Sequence, residues 1–178
     1  MFATKGYVAA TVDDIVTAVE VARGTFYLYF DDKLDVFSAL VDDFFRRTAK
    51  SIEPIDLSPT SPAPRAQLRE NLRRVIRMAR SNPATVKLAL STATGVDPGL
   101  DERLRIFYDA LRQFMDETLE TGQQIGLVRE GADRRLMLAM AVGGLKELML
   151  DVVSGELDRE EDVLLDEIMA FLERGLLA

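Results

Sequence analysis

Apolar residues recur at helical spacing along almost the whole chain, and no segment alternates between apolar and polar residues as a half-buried strand does. The pattern therefore predicts an all-α protein. The first predicted helix begins at Thr11, whose hydroxyl can act as an N-cap, with Asp14 as its capping-box partner. After a break over residues 20–22, a second short helix is predicted for residues 23–30. Two short helices joined by such a turn have the form of a helix-turn-helix.

The rest of the chain predicts longer helices. They are expected at about residues 33–52, 63–80, 83–94, 98–125, 134–153 and 160–177. Pro83 and Pro98 mark two of the starts, because proline is favoured at the first position of a helix. Residues 54–64 contain four prolines, so this segment is predicted to be a loop and is the best candidate for a linker.

A set of residues in the first quarter of the chain matches the pattern of a known family. They are Phe2, Gly6, Tyr7, Thr11, Val12, Ile15, Val21, Gly24, Thr25, Phe26, Tyr27, Phe30 and Lys33. With these residues the segment resembles the TetR family of one-component transcriptional regulators. The resemblance implies a DNA-binding head over residues 1–45 and a ligand-binding and dimerisation body over residues 46–178.

The resemblance also implies DNA contacts from the two short helices, with base contacts at the start of the second helix and phosphate contacts around it. The residues concerned are Thr11, Arg23, Gly24, Thr25, Tyr27, Tyr29 and Lys33. Helical spacing separately places Phe26 and Phe30 on one face, which we expect to pack inward against Ile15 and Val19. From spacing alone, the alternative is an ordinary amphipathic helix whose tyrosines pack.

Two residues in the turn differ from the usual family pattern. Glu20 stands where glycine is usual, and a positive φ there would cost roughly 1 kcal/mol. Ala22 stands where serine is favoured, which removes a side-chain N-cap worth about 1 kcal/mol.

The charge of the chain is unusual for a DNA-binding protein. The net charge is −8, and residues 1–50 hold six Lys or Arg against eight Asp or Glu, a balance of −2. Nucleic-acid-binding domains are usually basic. In the family, a helix led by a basic arm precedes the motif. Since only residues 1–5 precede it here, we expect most of that first helix to be missing and DNA binding to be weak.

Residues 136–145 and 163–172 are apolar on nearly every side. A helix of this kind must be buried on every side, so we expect these two helices to form a homodimer interface, with Gly143 and Gly144 allowing close approach. The predicted interface residues are Ala141, Gly143, Gly144, Leu148, Leu165, Ile168, Phe171 and Leu172. The alternative is a central core helix in a monomer.

Phenylalanine and methionine residues on several predicted helices are candidates for the lining of an apolar ligand pocket. They are Met78, Phe107, Tyr108, Leu111, Phe114, Met115, Met137 and Met140, with Thr92 and Thr94 as further polar contacts. The same residues are equally consistent with an ordinary core. The resemblance implies a small apolar effector.

Histidine and cysteine are both absent, which removes the commonest general base, the commonest metal ligand and all disulfides. The sequence therefore predicts no enzyme, no metal and no cofactor, and it fits a reducing cytoplasm. No apolar run is long enough to span a membrane. The leading hypothesis is a homodimeric repressor that binds double-stranded operator DNA and is released from it by a small molecule. The alternative is a helical-bundle ligand-binding or interaction protein whose DNA-binding head has decayed.

Overall fold

The computed structural model describes residues 2–91, 98–131, 133–175 and 177, and within them it is all-α, as predicted. The helices are α1 Phe2–Ala9, α2 Val12–Ala18, α3 Arg23–Phe26, α4 Lys33–Ser51, α5 Pro64–Ser81, α6 Pro83–Ser91, α7 Pro98–Gln124, α8 Arg134–Ser154 and α9 Glu161–Gly175. None of these described helices is long and apolar enough to cross a membrane.

Local signals in the sequence set most of the helix starts. Asp32 caps α4 because its carboxylate accepts hydrogen bonds from the N–H groups of Leu34 and Asp35. Asp133 caps α8 in the same way. At the other end of α8, Gly155 adopts a φ of 85°, the left-handed conformation that commonly ends a helix.

Helix ends depart from the predictions where tertiary contacts compete. Helix α3 is shorter than expected, because its regular part ends at Phe26 and the chain continues to Phe30 as a hydrogen-bonded turn. Helix α9 ends at Gly175, since Leu177 instead forms an antiparallel bridge with Val128. The predicted end of the helix at residues 83–94, which includes Thr92 and Thr94, lies outside the described residues.

The first helices and the body share one hydrophobic core. Phe2 and Tyr7 of α1 belong to the same buried cluster as Phe37 of α4 and Leu104 of α7. Helix α1 packs against α6, and α6 packs against α8. Helix α4 runs unbroken through residues 45 and 46, where the head and the body were predicted to divide. That division stays a prediction.

The proline-rich segment between α4 and α5 is held to α5 by two side-chain amides. Asn71, which is buried, accepts the Glu53 N–H at 2.9 Å and donates to the Glu53 carbonyl at 2.7 Å. Gln67 accepts the Asp56 N–H at 2.8 Å and donates to the Asp56 carbonyl at 2.7 Å. Because both polar groups of each backbone residue are paired, the loop fixes the end of α4 rather than acting as a loose linker.

A row of arginines on α5 binds the start of α9. Arg69 and Arg73 both pair with Asp162, at 3.1 and 2.7 Å, and Arg77 pairs with Glu161 at 2.8 Å. The hydrogen bond from Arg77 is the main reason that the pKa of Glu161 lies below its usual range. These ion pairs fix how α9 lies along α5, which in turn sets the surface that α8 and α9 expose.

Candidate nucleic-acid interface

The first helix of the helix-turn-helix begins as predicted. The Thr11 hydroxyl accepts the Asp14 N–H at 3.1 Å, and the Asp14 carboxylate accepts the Thr11 N–H at 3.0 Å. Lys5 of α1 donates to the same carboxylate at 2.5 Å. The hydrogen bond from Lys5, followed by those from Thr11, lowers the pKa of Asp14 to about 2. The carboxylate that fixes this helix start is therefore ionised at neutral pH.

The turn between α2 and α3 has the strained backbone that the sequence suggested. Glu20 has a φ of 54°, and among the described residues it is the one non-glycine residue with a positive φ. Ala22 occupies the N-cap of α3 without a side-chain hydrogen bond. The prediction that Val19 packs inward is wrong: it forms the C-cap of α2 and is 61% exposed. The buried residue of this helix is Val16.

Helix α3 turns one face to the interior and the opposite face to solvent. Phe26 is buried and lies 5.7 Å from the Phe30 ring, so the predicted inner face is observed. Gly24, Thr25 and Tyr29 are all exposed, and a Cβ atom added at Gly24 would meet nothing within 4 Å. These residues are accessible to a DNA duplex, and their DNA contacts stay predictions.

Arg23 is held in place by two neighbours. Its Nη1 atom donates to both carboxylate oxygens of Asp13, at 2.9 and 3.2 Å, and its Nη2 atom donates to the Tyr27 hydroxyl at 3.3 Å. The guanidinium carbon also lies 5.8 Å from the centre of the Tyr27 ring. The Tyr27 hydrogen bond and then the Asp13 charge raise the pKa of Arg23, which stays fully charged. The expected base-contacting residue is thus tied to the helix before it.

Leu28 was missed by the sequence analysis, yet it is 79% exposed on the outer side of the turn that follows α3. It lies two residues after Phe26, which is about 200° around a helix and opposite the buried face. That spacing was available in the sequence. An exposed leucine at this place can meet the methyl group of a thymine, which is the apolar feature of the major groove.

Lys33 has partners inside the protein that the sequence analysis did not foresee. Its Nζ atom donates to the carbonyls of Tyr7, Val8 and Ala10 at 2.9, 3.1 and 3.1 Å. It also lies 4.6 Å from the centre of the Tyr7 ring. An ammonium group has three N–H donors, and here three carbonyls at the end of α1 accept from it. The phosphate contact predicted for Lys33 stays untested, while its contacts here join α1 to the start of α4.

The aromatic residues predicted to line a ligand pocket pack against α4. Phe45 of α4 lies edge-on to Phe107 at 5.7 Å and to Phe114 at 6.4 Å. Tyr108 stacks edge-on to Phe107 at 5.2 Å. These residues of α7 therefore form the contact between the body and the helix that leads to the head.

The methionines of the predicted pocket do not converge. Met78 lies beside Asn82, whose Nδ2 atom is 3.4 Å from the Met78 sulfur. Met137 belongs to a second buried cluster with Leu119. The assignment of Met140 to the pocket is wrong, because its side chain is 61% exposed on the outer face of α8. An all-round apolar helix gives no sequence signal for which side faces inward.

Two open clefts lie on the described part of the body, and neither is lined by a predicted pocket residue. One, of about 690 Å³, lies between α7 and the start of α8 and includes Arg112, Asp116 and Arg134. The other, of about 660 Å³, lies near the α8–α9 connection and includes Arg80 and Leu157. Charged residues are the majority of the lining residues in both clefts.

The predicted dimer residues divide into exposed and buried groups. Gly143, Gly144 and Phe171 are exposed, and a Cβ atom added at either glycine would meet nothing within 4 Å. Leu165 is wrongly placed in the interface, because it is completely buried in the core of its own chain. The remaining predicted residues are partly buried. They are Ala141, Leu148, Ile168 and Leu172.

Comparison with known proteins agrees with this geometry. Residues 1–40 match the family model described as bacterial regulatory proteins, tetR family. No protein of curated function matches the chain. A protein described as a fatty acid metabolism regulator of Clostridium perfringens shares 24% identity, covers 94% of this chain and 89% of its own, and has a TM-score of 0.77.

Two further solved structures share the fold. FadR from Bacillus subtilis, in complex with stearoyl-CoA, shares 20% identity over 96% of this chain and 91% of its own, with a TM-score of 0.76. The fatty acid degradation regulator FadR from Bacillus halodurans shares 24% identity over 98% and 89%, with a TM-score of 0.73. The helix-turn-helix at residues 1–40 is therefore similar to that of the TetR family of bacterial regulatory proteins, and the described helices of the body share the fold of these solved structures.

Replacing Lys33 by methionine tests whether its hydrogen bonds to the end of α1 stabilise the head. The methionine keeps the apolar stem but leaves three carbonyls at the end of α1 without their charged donor, which should lower the free energy of unfolding by about 2 kcal/mol. Urea unfolding followed by circular dichroism at fixed protein concentration measures this change. Lys50→Met, on the exposed end of α4, is the control and should change stability by less than about 0.5 kcal/mol. Equal unfolding midpoints for the two variants would contradict the assignment.

Proposed function

We propose that the chain is a homodimeric repressor that binds double-stranded operator DNA and releases it when a small apolar effector binds the body. The observation that carries this proposal is the outer face of α3, which is exposed while its inner face packs on the head. Helix α4 joins that head to the body through a shared core. A surface that is accessible but rigidly connected is suited to a DNA contact that a ligand controls. The protein would act in the cytoplasm, where the DNA lies.

In the proposed complex, α3 enters the major groove. The start of α3, with Arg23, Gly24 and Thr25, would contact base edges, as the N-terminal residues of recognition helices do. Tyr27 and Tyr29 would donate hydrogen bonds from their hydroxyls to phosphates, which requires no positive charge. This supports DNA binding by a head whose acidic residues outnumber its basic ones.

The exposed apolar side chains of α8 and α9 support the proposed dimer. Leu136, Met140, Val163 and Phe171 are each more than half exposed. Exposed large apolar side chains on two consecutive helices are disfavoured by water, and a second copy of the chain would cover them. Such a dimer would present two recognition helices to half-sites about 34–36 Å apart, or a multiple of that spacing.

The proposed effector site is the aromatic contact between α4 and α7. A flexible apolar chain inserted beside Phe107 and Phe114 would displace Phe45 and so move α4. Ligand binding shifts the protein between two states only through different affinity for each, and in this proposal the Phe45 contact is what differs between them. The Bacillus subtilis protein of similar fold was solved with stearoyl-CoA, which makes long-chain acyl thioesters the first class to test.

The dimer is tested by placing a charge on its proposed surface. Phe171→Asp should give a folded monomer, because the residue is exposed in the single chain but the aspartate would be buried and unpaired in the dimer, at a cost of several kcal/mol. Light scattering at micromolar concentration measures the molecular mass. Leu57→Asp, which makes the same exchange at an exposed position in the α4–α5 loop, should remain dimeric. A wild-type monomer at that concentration would sink the proposal.

The regulatory function is tested by fluorescence anisotropy on a duplex selected by the wild-type protein from a randomised 30-base-pair pool. Binding should weaken as salt rises, because phosphate contacts release counterions. Palmitoyl-CoA should weaken binding at least tenfold, whereas free CoA, which has the same polar part, should not. Selection of no sequence would contradict a DNA-binding role. Sequence-specific binding that ignores acyl-CoA of every chain length would contradict the acyl effector alone.

A further inference from the structure

Asp13 is an acidic residue on the surface that is proposed to meet DNA. Its side chain is 68% exposed, and both of its oxygens accept from Nη1 of Arg23. A carboxylate next to DNA phosphates opposes binding, because like charges repel. Its presence on this surface therefore calls for another role. An exposed ion pair also contributes little to stability, so holding the fold together does not explain it.

The geometry leaves one edge of the Arg23 guanidinium available. Arginine has five N–H donors, and Asp13 engages Nη1 while Tyr27 accepts one hydrogen from Nη2. Within the described residues, the Nε–H and a second Nη2–H have no partner. The Nε–H and one of the two Nη2–H groups flank a single edge of the planar guanidinium. They form the pair of donors that matches the O6 and N7 acceptors of guanine.

Fixing the arginine beforehand has a thermodynamic consequence. A free arginine side chain loses rotamer entropy when it is immobilised. An arginine already held from α2 and from Tyr27 loses less on binding, and it must break these contacts before it can reach a nearby phosphate. Selectivity for one base should therefore depend on the residue that holds the arginine.

We propose that Asp13 is a positioning residue that holds Arg23 with its Nε–Nη2 edge toward the major groove, where it contacts one guanine of the operator. Asp13 then lowers overall affinity for DNA through its charge and raises discrimination for that base. This inference rests on the proposed DNA-binding function and adds a residue that acts through Arg23.

The test uses full-length protein and the duplex selected by the wild type, with each guanine in turn replaced by 7-deazaguanine, which lacks the N7 acceptor. At one position this should weaken wild-type binding about tenfold. Arg23→Ala and Asp13→Ala should each reduce that effect below threefold. Asp13→Asn keeps one acceptor oxygen and should retain an intermediate effect. Asp42→Ala, which removes the same charge from an exposed position on α4, should keep the full effect.

Binding to an unrelated duplex separates positioning from simple charge repulsion. Asp13→Ala should bind that duplex as tightly as wild type or more tightly, with an unchanged thermal unfolding midpoint. An Asp13→Ala protein that keeps the full 7-deazaguanine effect would overturn the inference while leaving DNA binding intact. The inference would also be overturned if 7-deazaguanine weakened wild-type binding at none of the guanine positions. A wild type that selects no sequence would instead overturn the proposed function on which the inference rests.

Discussion

The packing of α4 against both ends of the molecule determines where the DNA-binding surface lies. At its start, Lys33 donates to the last carbonyls of α1, and one helical turn later Phe37 packs edge-on to Tyr7 at 5.4 Å. Two turns further on, Phe45 meets Phe107 in the body. Because protein interiors are close-packed, α4 cannot shift at one of these contacts without straining the others. Helix α4 is therefore the element that connects α7 to the helices that precede it.

Internal pairing explains how an acidic head can still be a DNA-binding unit. Lys5 pairs with Asp14, Arg23 pairs with Asp13, and Lys33 donates its hydrogen bonds to backbone carbonyls. The basic residues of the motif thus shape the head rather than form a broad positive surface. Affinity for DNA must then come from hydroxyl groups, backbone N–H groups and the few arginine donors left over. Such a head would bind with modest affinity and depend on correct geometry.

Features set by neighbouring residues were predictable from the sequence, and features set by distant ones were not. The capping box of Thr11 was predictable from the spacing of two neighbouring residues, and the positive φ of Glu20 from the glycine that is usual at that position in the family that the segment resembles. Met140 was misplaced because residues 136–145 are apolar on nearly every side, so that only packing decides which side faces inward. Leu165 was misplaced because it lies on the side of α9 that packs into the core of its own chain. The contacts of Lys33 within the head were not predicted, since its partners lie more than 20 residues earlier in the chain.

If α4 moves the head in response to the body, then the distance between the two heads of a dimer must change when the effector binds. The chain has no cysteine, so Val8→Cys on the exposed end of α1 offers a single spin-label site per chain. Pulsed electron resonance should give one narrow label-to-label distance with operator DNA. Adding palmitoyl-CoA should shift that distance by several ångström, and Phe45→Ala should abolish the shift. If the effector releases the DNA while the label-to-label distance stays unchanged, then α4 does not move the head in response to the body.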